Sequence, residues 1–237
     1  MEDHIRHAKS YPFEILDRSY VYRRGVVQAF DTHPAPHEGR VPVLAAGSNQ
    51  SHRQIARKFD DHPSGDVIPS QRGWLHDFDV VYAAHLASYG SVPATFQYSP
   101  GTVVSVFVLW LDPPQVSRMH ETEGNYTFDH LDGVRIELDE CDDVLKEAYS
   151  YSSKVGCFNN DNQCVSLSEI AAIGRIFEQA SQPEILGMVR DRLAPERQLD
   201  DFVGEHISDD RVRRERSEAI AQNALALTFT RCVITHL

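Results

Sequence analysis

The sequence predicts an α+β protein, with a mixed β core followed by a helical C-terminal third. Three observations point there. Short β-branched and apolar runs, punctuated by turn residues, fill positions 41 to 152. One of them, Val103 to Leu111, is apolar on both faces, as a strand in the middle of a sheet should be. From Ser166 onward the pattern changes to helix starts and helical spacing.

Residues 1 to 40 are polar and rich in His, Arg and Pro, and Thr32-His33-Pro34-Ala35-Pro36-His37 forbids regular structure. They read as an arm with one ordered piece around Tyr20 to Phe30. Val41 to Ala45 reads as a short buried strand ending at Gly47, after which Ser51 is placed to cap a helix through Ile55 and Phe59. Asp60 to Arg72 carries Pro63, Gly65 and Pro69 and reads as a loop. Phe78 to His85 alternates as a strand does. Thr95 to Tyr98 and Val103 to Leu111 flank Ser99-Pro100-Gly101-Thr102, where Pro-Gly suits the centre of a type II turn and predicts a hairpin.

Asp112-Pro113-Pro114-Gln115 has the chemistry of a helix start: an Asp N-cap, an early Pro, and a Gln able to complete a capping box. Val116 and Met119 give its buried face, and Gly124 is its stop. Further strands are expected at Val134 to Leu138 and Ala148 to Ser152. Helices are expected from Ser168-Glu169, from Ser181-Gln182-Pro183-Glu184, and from about Asp210 to Leu227.

Composition narrows the function. A formal charge of −12 argues against nucleic-acid binding, which needs a basic face, and Arg211 to Arg214 sit among Asp209, Asp210, Glu215 and Glu218 as a solvated helix face would. The first residues, Met1-Glu2-Asp3-His4, lack a signal-peptide pattern, and the longest apolar stretch is too short for a bilayer, so no membrane partner is expected. Four cysteines without a CxxC pair suit reduced thiols in the cytoplasm. His33 and His37 are separated by Pro-Ala-Pro, and there is no HExxH or Cys/His cluster, so neither metal nor organic cofactor is implied. A GxSxG elbow is also absent from the sequence.

Two segments carry most of the functional signal: Leu44-Ala45-Ala46-Gly47-Ser48-Asn49 and Met119-His120-Glu121-Thr122-Glu123-Gly124. Between them lie Gly90-Ser91-Val92-Pro93-Ala94-Thr95-Phe96, Ser99-Pro100-Gly101 and Val104 to Trp110. In this order and spacing, residues 41 to 152 resemble the γ-glutamylcyclotransferase-like family. Its hallmarks are a Tyr-Gly-Ser-Asn loop, a Gly-x-Ala-Thr hairpin with a central strand, and an acid in a Glu-Gly element. The resemblance implies a small β-barrel-like core with flanking helices. It divides the chain into an arm (1–40), a core (41–155) and a helical extension packed on it (156–237).

Two positions depart from the family pattern. Ala46 stands where the motif has Tyr, and no Arg follows Tyr126, which precedes Thr127 and Phe128. Both changes imply an altered or enlarged pocket.

Members of that family release 5-oxoproline when a γ-glutamyl α-amine attacks its own side-chain amide. Amine and carbonyl are tethered at ring-closing distance, so proximity supplies much of the acceleration. The protein must take a proton from the ammonium, hold the carboxylate and stabilise the oxyanion. Glu123 is the expected general base, made more basic by burial and by the C-terminal end of its helix. Glu121 competes for the role but projects about 200° around the helix from Glu123. His120 is a weaker shuttle candidate. Ala46, Gly47, Ser48, Asn49 and Tyr126 are the expected substrate-binding residues, the Gly-Ser-Asn turn through backbone N–H groups at a helix start. Tyr89 either lines the pocket or packs.

The expected partner is a small γ-glutamyl or other amino-acid-derived substrate, with a homodimer left open. Two rivals keep the fold but change the function: a non-catalytic small-ligand module, or an amide hydrolase in which Glu123 activates water. Glu123 in a concave pocket favours an enzyme. A pocket filled by Trp74, Tyr89 or the C-terminal segment favours the binding or structural role.

Overall fold

Five strands close on one another into a barrel-like sheet, and two of the connections between them carry the helices beside its mouth. The computed structural model describes residues 1–30 and 37–235; the irregular stretch expected at Thr32 to Pro36, with His33, lies outside them. The ring runs β3 (Val41–Ala45), β5 (Ala94–Leu111), β4 (Ile68–Tyr82), β6 (Tyr126–Leu138) and β7 (Val144–Ser153). Four seams are antiparallel. The last joins β3 to β7 in parallel, Val43 opposite Tyr149. Where β4 meets β6, a Cβ on Gly73 would stand 2.4 Å from the Glu137 carbonyl, so glycine permits that close approach.

Before the barrel come α1 (Glu2–Lys9) and a hairpin of β1 (Tyr20–Arg23) with β2 (Val26–Ala29), the ordered piece expected near Tyr20. A turn of 3-10 helix (Gly47–Gln50) and α2 (His52–Phe59) follow β3, and α3 (Pro113–Thr122) joins β5 to β6. Short strands β8 (Val165–Leu167), β9 (Ala172–Ile173) and β10 (Glu178–Ala180) extend the sheet. The chain then forms α4 (Gln182–Leu193), α5 (Leu199–Ser208) and α6 (Asp210–Ala221), and β11 (Cys232–Val233) pairs with β6. Among the described residues no helix is long and apolar enough to cross a membrane.

β5 explains its own composition. It lies between β3 and β4, and its alternate residues enter two different cores. Val104, Val106 and Val108 pack with Leu44, Leu75 and Leu131. Phe107, Leu109 and Leu111 pack with Ile55, Phe59, Val116 and Met119 of α2 and α3. A strand buried on both faces is apolar along most of its length, and the buried exception in this run, Ser105, has its hydroxyl 3.5 Å from Arg72 Nε. Each of these side chains is worth about 1.5–3 kcal/mol of burial.

Several expectations need correction. Ser99 to Thr102 does not reverse the chain: both halves of β5 pair with β4, and residues 99–102 bulge opposite Asp77, with Gly101 at φ +80°. The loop assigned to 60–72 ends early, because β4 begins at Ile68, where β1 supplies pairing from a distant part of the chain. Ser168-Glu169 does not open a helix: the segment beyond it pairs with β5 and β8, and Glu169 Oε1 instead accepts the Gln182 N–H. α5 is an unforeseen helix, and α6 ends at Ala221 because Leu225 turns to pair with Cys157. The capping box expected at Asp112 is present, and the helix expected from Ser181 also starts with one, formed with Glu184.

A buried ion pair fastens the strand extension to the barrel. Arg175 Nε lies 3.1 and 3.2 Å from the two Asp79 carboxylate oxygens, and Ser166 Oγ donates to Asp79 Oδ2 at 2.6 Å. Their side chains are 6% and 0% exposed. Removing one partner strands the other charge, so Asp79→Ala is expected to cost about 3–5 kcal/mol. Urea titration at neutral pH measures this, and a midpoint close to wild type would refute it.

Candidate active site

Leaving β3, the chain turns at Gly47 with φ +58°. A Cβ there would stand 1.9 Å from the Tyr11 hydroxyl oxygen and 2.9 Å from Ala94 Cβ, so only glycine fits. Ser51 occupies the N-cap of α2, but its hydroxyl makes no cap bond; its carbonyl accepts the N–H groups of Gln54 and Ile55. α2 then turns Gln54, Arg57 and Lys58 toward one cavity, the i, i+3, i+4 spacing of a single helix face.

α3 brings in the acid. Its start is fixed by the Asp112–Gln115 capping box, with bonds of 3.0 and 3.1 Å, and its C-cap residue is Glu123. Glu123 Oε1 accepts from Asn49 Nδ2 at 3.0 Å and from Lys58 Nζ at 2.5 Å. Lys58 also donates to Asn49 Oδ1 at 2.8 Å, which closes a three-residue cluster. The Lys58 and Glu123 side chains are only 7% and 10% exposed. Glu123 Oε2 has no hydrogen-bond partner among the described residues. Glu121 turns away and pairs with Arg118.

The cavity holds about 390 Å³. Besides Glu123 its wall includes Tyr11, Tyr89, Tyr126, Tyr151 and His85. Ala46, Ser48 and Asn49 line it, whereas Gly47 lies behind them. Tyr126 donates its hydroxyl to the Ala94 carbonyl at 3.2 Å, and burial pushes its phenol well up. Tyr151 is hydrogen-bonded to His120 Nδ1 at 2.8 Å, so His120 touches the wall through a phenol. Neither Trp74 nor the C-terminal helices fill the space, and Tyr89 lines it.

Several residues of this wall went unremarked in the sequence, Tyr11, Arg57, Lys58 and His85 among them. Tyr11 comes from the arm just beyond α1, and its oxygen accepts the Ala94 N–H at 2.8 Å and the Ser48 N–H at 3.3 Å. A phenol thus stands beside Ala46 after all, contributed from elsewhere in the chain. The only signal for it was an aromatic pair, Tyr11 and Phe13, in an otherwise polar segment. Lys58 was hidden in an ordinary basic helix end. His85 is 6% exposed, with Nδ1 buried and unpartnered and its ring edge-on to Tyr126 at 5.4 Å.

Charge in the cavity is unbalanced. Lys58 is matched by Glu123 and Arg118 by Glu121, while Arg57 has no carboxylate partner among the described residues. An excess guanidinium at the wall favours an anionic ligand. Among the described residues no group of three His, Cys, Asp or Glu side chains is gathered to hold a metal.

No known protein-family model matches the sequence, and no curated protein does. Solved structures do show a likeness. A gamma-glutamyl cyclotransferase aligns at 14% identity over 83% of this chain and 94% of that one, with a TM-score of 0.39. An uncharacterized protein from Homo sapiens aligns at 15% over 83% and 95%, with a TM-score of 0.40. A protein from Arabidopsis thaliana aligns at 13% over 53% and 66%, with a TM-score of 0.37. Likeness at this level decides neither family nor activity.

His85 makes the fold sensitive to acid. Burial pushes its imidazole down to about 4 from an ordinary 6.5. Between those values the unfolded chain binds more protons, so stability is full above about pH 6.5 and falls as pH drops toward 4. Replacing His85 by Gln is expected to shrink that acid loss by about 2–3 kcal/mol. Urea titrations at pH 7 and 4.5 on both proteins measure it, and equal losses would refute it.

Proposed function

We propose that this chain is a cyclotransferase that releases 5-oxoproline from a γ-glutamyl amide or a related amino-acid conjugate. One observation supports this above the rest: Glu123 is clamped through Oε1 while Oε2 is left unclaimed beside a cavity. Lys58 and Asn49 fix the carboxylate through that one oxygen, so the other is held in a defined position. The free oxygen is then available to a substrate ammonium.

In this reading Oε2 takes a proton from the α-ammonium. The freed amine attacks the γ-amide carbonyl, and a tetrahedral oxyanion forms. Collapse breaks the original C–N bond as Glu123 returns that proton to the leaving nitrogen; Glu123 then moves the ring nitrogen's remaining extra proton to the released amine, giving 5-oxoproline and an ammonium. The fold has only to hold the chain curled, since ring closure is intramolecular. Arg57 offers a counter-charge to a substrate carboxylate, and Tyr126 shapes the wall. Free cysteines suit a cytoplasmic setting.

The test is incubation of the pure protein with γ-glutamyl peptides and amines, followed by mass spectrometry. Wild type is expected to release 5-oxoproline, and Glu123→Gln to lower kcat by about 100-fold or more. Free glutamate would show a hydrolase instead. A folded wild type yielding no product from any compound would favour a ligand-binding role.

A further inference from the structure

Tyr11 sits where its chemistry is constrained from three sides. Its side chain is 2% exposed, yet it forms part of the cavity wall. Its oxygen receives two backbone N–H groups, Ala94 at 2.8 Å and Ser48 at 3.3 Å. A phenol oxygen has little acceptor capacity beyond that. What remains is its proton, which no protein oxygen accepts among the described residues. Burial pushes the phenol far up, so the proton stays on. Two accepted hydrogen bonds also polarise the O–H and strengthen it as a donor.

We infer that Tyr11 is a catalytic residue of this site, donating its hydroxyl proton in a hydrogen bond to the substrate's γ-carbonyl oxygen as that oxygen becomes negative. The inference rests on the cyclotransfer reading above. It changes how the Gly47-Ser48-Asn49 turn takes part. The Ser48 N–H does not meet the ligand; it acts through the phenol, joined there by the Ala94 N–H. No proton leaves Tyr11 during the reaction, and the hydrogen bond shortens as charge develops. The donor is held in place beforehand by a glycine that admits it, Gly47, and by a near-parallel neighbour, Tyr89, with ring centroids 6.4 Å apart.

The experiment compares wild type, Tyr11→Phe and Tyr11→His on the γ-glutamyl compound that wild type turns over best, each checked by a thermal melt. Tyr11→Phe keeps the ring and loses the donor. It is expected to lower kcat about 100-fold, with KM changed less than about threefold because the donor matters chiefly in the transition state. Tyr11→His keeps a ring N–H and is expected to retain more of kcat than Tyr11→Phe. A Tyr11→Phe variant with at least half of wild-type kcat would overturn the inference and leave the cyclotransfer reading standing. So would a faster variant, which would make Tyr11 an obstruction. Equal losses in the two variants would assign the effect to ring packing and overturn it as well. A wild type inactive on every compound would remove the cyclotransfer reading and this role together.

Discussion

β3 is the constraint from which the rest of this molecule hangs. All five of its residues pair antiparallel with β5, two of them, Val43 and Leu44, also pair in parallel with β7, and without it the sheet cannot close. A strand fixed on two sides can release its chain in only one direction. Here the chain leaves at Ala45 into the Gly47 turn, at the wall of the cavity. Pairing, closure and site position are therefore one fact, and the positive φ at Gly47 is its local expression.

The same closure explains how a buried ion pair is tolerated. Taking Lys58 and Glu123 out of water is costly unless their geometry is good and their remaining hydrogen bonds are satisfied. Asn49 supplies that satisfaction, bonding to each partner. The three residues come from the Gly47 turn, α2 and the end of α3, which also share the core around Ile55, Phe59 and Met119. The apolar packing positions the polar cluster, leaving one carboxylate oxygen free.

Much of the fold could be read from local chemistry. The doubly apolar run of β5, the Asp112 capping box and the Ser181 helix start each announce themselves within a few residues, so they were legible. Glu123 and the Gly-Ser-Asn turn were legible by pattern, and the structure brings Glu123, Ser48 and Asn49 to one cavity. Pro100-Gly101 misled because the same residues make a bulge or a reversal, and the choice is made by β4, long enough to pair with both halves of β5. Lys58 and Tyr11 were not legible for a simpler reason. Their decisive partners lie 65 and 37 positions away, and nothing local distinguishes them from solvated neighbours.

The route by which Tyr11 reaches the cavity has a consequence for the order of assembly. α1 packs against α5, Lys9 pairs with Asp200, and a Cβ on Gly204 would stand 3.5 Å from Ile5. The loop beside α1 is held from the same side, since His206 Nε2 meets the Gly90 carbonyl at 2.9 Å and Ser91 donates to the Ala8 carbonyl. Translation delivers α1 well before α5, although domains tend to fold as their chain emerges. All five barrel strands are in the chain once β7 is out, but α1, which leads into Tyr11, lacks its contact with α5 until residues 199–208 have been made. The segment that supplies Tyr11 thus depends on a helix encoded almost two hundred positions later.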